Sequence, residues 1–96
     1  MGAYFIARVK ISDHEKYKEY LKVTPAIIEK FGGKALARSE GSTTLEGPEE
    51  SRRIIVIEFP SVEEAKRFYN SSEYRNAKKL REGAAVGEII VVEGVK

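Results

Sequence analysis

The chain has 96 residues, a third of them charged, yet its formal net charge is only +2. The signs are interspersed, as in Glu15-Lys16 and Lys18-Glu19, which describes a solvated surface and excludes a dedicated nucleic-acid patch. No cysteine is present, so disulfide frameworks and thiolate metal sites are excluded, and no run approaches the roughly 18 apolar residues of a membrane span.

This length predicts one domain over residues 1–96, burying only about 60–65% of its unfolded surface, so a partner subunit would add what a small core lacks. The opening Tyr4-Phe5-Ile6-Ala7 is interrupted at Arg8, too soon for a signal peptide, and Ile6 breaks the myristoylation pattern after Gly2. A cytoplasmic protein is expected. Many Lys, Glu and Arg, with no Gln, Cys or Trp, fit a thermophilic source.

Residues 3–11 alternate: Ala3, Phe5, Ala7, Val9 and Ile11 against Tyr4, Ile6, Arg8 and Lys10, the period of a strand with one wholly apolar face. Ser12 or Asp13 caps the next element. Tyr17, Tyr20, Leu21, Thr24, Ile27, Ile28 and Phe31 form one helical stripe, and Thr24-Pro25 predicts a kink or a restart within it. Gly32-Gly33 ends the helix. A short second strand runs from Lys34 to Glu40, with Leu36 beside Lys34 and Arg38 on one face and Ala35, Ala37 and Ser39 on the other. Gly41 to Ser51 is a polar loop, whose acidic stretch Glu46-Gly47-Pro48-Glu49-Glu50 is a solvated turn or a cover for a pocket mouth.

Arg52 to Phe59 is a third strand, apolar on both faces at Ile54-Ile55-Val56-Ile57 and hence central. Pro60 stops it, and Ser61-Val62-Glu63-Glu64 reads as a capping box. Val62, Ala65, Phe68 and Tyr69 make the buried stripe of a second helix. Ser71-Ser72 interrupts it, and Tyr74, Ala77, Leu80 and Arg81 suggest a further helical piece. Val86 to Glu93 is the last strand, again apolar on both faces. The order βαββαβ predicts a ferredoxin-like α+β fold, an antiparallel four-stranded sheet with its helices on one face. The open face then carries too much apolar surface for a lone subunit, and a homodimer through that face is expected.

Several strings resemble a known family. They are Tyr4-Phe5-Ile6-Ala7, Tyr17 with Tyr20, Gly32-Gly33 with Leu36-Ala37-Arg38, and Leu45-Glu46-Gly47. They continue with Ile55 to Ser61, Phe68-Tyr69-Asn70-Ser71 with Tyr74, Arg81, and Val92-Glu93-Gly94. Their order and spacing over nearly the whole chain resemble the domain-of-unknown-function family thirteen-thirty, within the dimeric α+β barrel superfamily. Phe68 and Ser72 depart from the Trp and Pro usual there. The resemblance implies a homodimer with a barrel-like centre and no particular reaction. The wider superfamily includes cofactor-free oxygenases, lactone isomerases, haem-degrading enzymes and ligand-sensing domains.

Glu58, between Ile57 and Phe59, is a carboxylate in an apolar strand, where lost solvation would suit an acid–base catalyst; the other reading is an ion pair with an arginine. Arg38 and Arg81 suit a carboxylate or enolate substrate, with Arg8 and Tyr4 together on the first strand. Tyr69 and Tyr74 flank the Ser71-Ser72 break and rim a cleft, whereas Tyr17 and Tyr20 belong to core packing. His14 has no companion ligand, so neither metal nor haem is expected, nor any other cofactor. RNA reading on the sheet would need exposed central aromatics, and the third strand offers Ile, Val and Glu. Two readings stand. One is a cofactor-free enzyme, with Glu58, Arg38 and Arg81 catalytic and Tyr4, Arg8, Tyr69 and Tyr74 binding a small anionic or enolic molecule. The other is a non-catalytic ligand-binding or dimerisation module.

Overall fold

Alternation along the first strand sets the two faces of the whole sheet. In a computed structural model that describes residues 2–39 and 41–95, the chain runs β1 (Ala3–Ile11), α1 (His14–Lys30), β2 (Lys34–Ser39), β3 (Arg53–Phe59), α2 (Val62–Asn70), α3 (Ser72–Lys79) and β4 (Ala85–Glu93). The strands form one antiparallel sheet in the order β2-β3-β1-β4, the ferredoxin-like arrangement, with α2 and α3 together filling the place of the second helix. The predicted end of β2 at Glu40 lies outside the described residues.

Ala3, Phe5, Ala7 and Val9 of β1 are buried beneath the helices, beside Ile57 and Phe59 of β3. Phe68 of α2 is the hub of this core. Its ring sits 5.6 Å from Phe5, 5.2 Å from Phe59, 6.2 Å from Phe31 and 4.7 Å from Tyr74. Each such aromatic pair adds about 0.5–1.5 kcal/mol beyond the apolar area it buries.

The open face is ordered in rows by the strand register. Ala37, Val56, Ile6 and Ile90 lie side by side across all four strands, an apolar stripe through the middle. On one side runs Lys34, Glu58, Tyr4 and Val92; on the other, Ser39, Ile54, Arg8 and Glu88. Ile90, Val92 and Val86 remain exposed on this face.

α1 is one continuous helix, with Asp13 as its cap accepting the Lys16 N–H at 3.1 Å. The restart expected at Thr24 is absent. Thr24 is buried and Pro25 is carried inside the helix, because one apolar stripe either side of it seats against the same core. Gly32 closes the helix with φ +79°, a conformation only glycine adopts without strain. Ser61 caps α2 by accepting the Glu64 N–H at 3.1 Å; the Glu64 carboxylate turns instead to Arg67 at 2.8 Å, so only half of the capping box forms. Ser71 serves two helices. Its Oγ donates to the Phe68 carbonyl at 2.7 Å and accepts the Tyr74 N–H at 3.0 Å, which fixes the angle between α2 and α3.

β2 departs from simple alternation. Ala35 pairs with Ile57, but Ala37 pairs with Val56 and Arg38 with Ile55, so Leu36 is an extra residue in a bulge. Beyond it the parity reverses. Arg38 shares the helix face with Ala35, not one face with Lys34 as expected, and Leu36 is 48% exposed.

Candidate functional site

α1 packs its backbone most closely against α3 and stands off the sheet. A cavity of about 240 Å³ is left beneath it. Phe5, Ala7, Ile55, Ile57 and Ile89 of the sheet form its floor, and α1 forms its roof. Its polar groups are the Tyr17, Tyr20 and Thr24 side chains of α1, Tyr74 of α3, Arg81, and Arg38 and Glu29. Arg38 and Glu29 are exposed, while Arg81, Tyr17, Thr24 and Tyr74 are buried.

Arg81 is the unusual member, only 8% exposed. It follows α3, where its carbonyl accepts the Ala84 and Ala85 N–H groups at the reversal made by Gly83. Gly87 on the facing strand is a near neighbour, its Cβ position 3.8 Å from Arg81 Nη1, an ordinary contact distance. The guanidinium lies 5.5 Å from the Tyr20 ring centroid, a cation–π contact. Among the described residues it forms no ion pair with a carboxylate. Burial works against its charge, but the Tyr74 and Tyr20 hydroxyls more than offset this and hold the guanidinium above its ordinary value. Arg81 is a fixed buried cation.

Two of the phenols around it, Tyr17 and Tyr20, are held in the neutral form. Tyr20 Oη and Tyr74 Oη are 2.8 Å apart and share a hydrogen bond. Burial first, and the Tyr74 hydroxyl next, push the Tyr20 phenol far above its usual range. Burial likewise raises Tyr17, against the pull of Arg53 and Arg81. Protonated phenols beside a guanidinium donate hydrogen bonds and do not accept protons, a combination that can stabilise a negatively charged oxygen.

The sheet divides the residues expected to form one site. Arg38, Arg81 and Tyr74 meet at the cavity under α1, and Tyr69 lines a second cavity on the same side of the sheet. Glu58, Tyr4 and Arg8 are on the open face. Glu58 stands opposite Tyr4 and Lys34, separated by the sheet from Arg38 and Arg81. The reason is strand parity: Ile57 and Phe59 are buried under the helices, so Glu58 between them points the other way. Tyr74 lines the first cavity from a buried position, at 1% exposure. Tyr17 and Tyr20 pack in the core as expected and also form cavity wall; the phenol that pairs with Tyr20 stands 54 residues away in the chain, and the sequence carries no signal of that pairing. His14 is exposed at the start of α1, and no group of His, Cys, Asp and Glu suited to a metal ion occurs among the described residues.

The open face carries its own charged cluster at one end. Arg52 bonds Glu50 through Nε at 2.8 Å and Nη2 at 2.9 Å and reaches Glu88, which Arg8 approaches at 3.9 Å. Thr44 accepts the Glu50 N–H at 2.9 Å, so the acidic loop is pinned to this end of the open face. The Arg52 guanidinium, then its backbone N–H, hold the Glu50 carboxyl down at about 2 against an ordinary 4.5. A depressed carboxyl stabilises the fold above its unfolded value and loses that contribution as pH falls through its folded one. Urea midpoints are therefore expected to fall between about pH 4.5 and 2, and Glu50→Gln to flatten that slope.

No helix among the described residues is long and apolar enough to cross a membrane. No curated protein matches the chain in sequence. Its backbone is similar to the crystal structure of a protein of unknown function from Rhodopseudomonas palustris, at TM-score 0.78 and 23% identity, covering 99% of this chain and 83% of that one. It is also similar to SnoaB, a cofactor-independent oxygenase from Streptomyces nogalater, at TM-score 0.67 and 7% identity, covering 99% and 94%. A dimeric protein of unknown function with a ferredoxin-like fold from Bacteroides fragilis matches at TM-score 0.64 and 15% identity, covering 97% and 96%. These identities carry the fold alone. The sequence pattern goes further, for residues 2–95 match one family throughout, and the chain belongs to the family described as Domain of unknown function (DUF1330).

Proposed function

We propose that the cavity under α1 binds a small enolic or phenolic molecule in its anionic form, with Arg81 as the counter-charge and the Tyr20–Tyr74 hydroxyl pair supplying one hydrogen-bond donor, its other proton being held within the pair. The observation that carries this is a guanidinium 8% exposed, with no carboxylate partner among the described residues, at the wall of an apolar cavity. Within the chain its charge is solvated only by neutral groups, the Tyr74 and Tyr20 hydroxyls and the Tyr20 ring, so an anion entering the cavity would meet a cation that no carboxylate has neutralised. Lowering the free energy of an enolate is also what a cofactor-free oxygenation needs, since the substrate itself then supplies electrons to dioxygen. The structural likeness to SnoaB supports that reaction class. Arg38 at the mouth adds a second cation for the approaching anion.

A second reading keeps the ligand and drops the reaction. Glu29, exposed at the mouth, is the one carboxylate among the residues lining the cavity, so no buried base stands ready to take a proton. Binding without turnover fits that arrangement, as does a substrate that arrives already ionised. Glu58, expected as the acid–base group, belongs in neither version, because it faces the other side of the sheet.

The fluorescent phenol 2-naphthol tests the site. Arg81→Gln is expected to weaken its binding at least about tenfold, the factor corresponding to roughly 1.4 kcal/mol, with a preference for the ionised phenol lost as well. Unchanged affinity and pH profile in Arg81→Gln would sink the assignment. Oxygen uptake with ionised phenols separates turnover from binding.

We also propose that a second copy of the chain covers the open face. The apolar row Ala37, Val56, Ile6 and Ile90, with charged residues to either side, is the pattern of an interface core with a polar rim. The dimeric Bacteroides fragilis neighbour supports it.

A further inference from the structure

A second cavity, of about 320 Å³, lies between α2, α3 and β4. It shares Phe5, Arg81 and Ile89 with the first, so Arg81 stands in the wall between the two. Three of its lining residues are cations, Lys66, Lys78 and Arg81, and none is a carboxylate. None of the three forms an ion pair with a carboxylate among the described residues.

Lys78 is held in place. Its Nζ donates to Tyr69 Oη at 2.9 Å and lies 5.2 Å from the Tyr69 ring centroid. An ammonium so placed keeps two further N–H donors, and the Asn70 amide at the cavity edge adds more. Elsewhere on this chain lysines near acids are paired, as Lys30 is with Glu73 and Lys22 with Glu19. Here three like charges converge on one concavity without a counter-charge. Like charges lining one concavity raise the local potential there, which favours an anion. The floor beside them, Val91, Ile89 and Phe5, is apolar, so a bound anion would be partly desolvated and its hydrogen bonds strengthened.

We infer that the second cavity is an oxyanion subsite for a carboxylate or phosphate carried by the same ligand whose enol or phenol occupies the first. The inference rests on the proposed function and narrows its substrate class: an apolar body with an enolic or phenolic oxygen at one end and an acid group at the other, spanning Arg81. The guanidinium offers edges to both cavities, so it binds both ends of one molecule.

Three fluorescent probes test this: 2-naphthol, 6-hydroxy-2-naphthoate and 6-hydroxy-2-naphthyl phosphate. At least one acid is expected to bind about tenfold or more tighter than 2-naphthol, the equivalent of one charge-assisted hydrogen bond, and the tighter of the two identifies the group. That advantage should vanish in the double variant Lys66→Gln with Lys78→Gln and persist in Lys79→Gln, which removes a charge from α3 outside the cavity. Lys66→Gln alone, on an exposed side chain, should remove part of it without touching the Tyr69 bond. Equal affinity for all three probes overturns the inference, as does equal loss in Lys79→Gln, which would mean surface charge alone. In both cases 2-naphthol still binds and the proposed function stands. Failure of 2-naphthol to bind removes the proposed function and this inference with it.

Discussion

Replacing Phe68 with Ala is expected to destabilise the protein by roughly 3–5 kcal/mol, the range for losing a buried aromatic side chain. The ring is 1% exposed and touches aromatic neighbours from four other elements or their ends: Phe5, Phe31, Phe59 and Tyr74. No flexible side chain lies at hand to fill the space. The only methionine in the chain is Met1. At about 4–8 °C per kcal/mol for a domain of this size, the thermal midpoint should fall by at least about 12 °C. Circular dichroism at fixed protein concentration checks it, since dimerisation would make the midpoint concentration-dependent. A fall of only a few degrees would mean that the cluster collapses around the gap and that Phe68 is not its hub.

The second large effect concerns assembly. Ile6→Lys is expected to convert the proposed dimer to monomers, raising the dissociation constant at least about a hundredfold, the equivalent of roughly 2.8 kcal/mol. Ile6 is on a central strand, directly between Val56 and Ile90 in the apolar row. Two-fold symmetry brings two copies of any substitution into the interface, so two unpaired ammonium groups would be desolvated together. The subunit itself should still fold, because Ile6 is outside the helix-face core. Sedimentation velocity reads the outcome. A wild-type chain that sediments as a monomer at micromolar concentration would refute the interface outright, and a variant that stays dimeric would move it to another face.

Much of this architecture is legible in the chain because the physics that sets it is local. Alternation in β1, the doubly apolar Ile54–Ile57 stretch and the Ser61 cap each follow from neighbours a few residues apart, and the strands and helices form within a residue or two of where these place them. Thr24-Pro25 misleads for a reason of scale. A local breaker is outweighed by the packing of residues on both sides of it against one core.

The candidate site is legible only as a set of residue types. Arg38, Arg81 and the tyrosines stand out in the sequence, but their grouping does not. Glu58 is misplaced by sequence reasoning because its apolar neighbours suggest burial, while strand parity sends it to the face opposite the cavity. Lys66 and Lys78 give no sign at all. A lysine in a charge-rich helix looks like every other surface lysine until the fold brings it to a cavity with no acid. The Tyr20–Tyr74 pair links α1 to α3, and nothing in either segment announces the other.

Leu36 has an effect out of proportion to its own side chain. As a single supernumerary residue on an edge strand, it decides to which compartment the next guanidinium is delivered. With it, Arg38 guards the entrance beneath the helices; a β2 shorter by that one position would send the same arginine to the subunit contact instead. A one-residue change in strand length thus trades a cation between the proposed ligand site and the proposed subunit contact, with no substitution in either place.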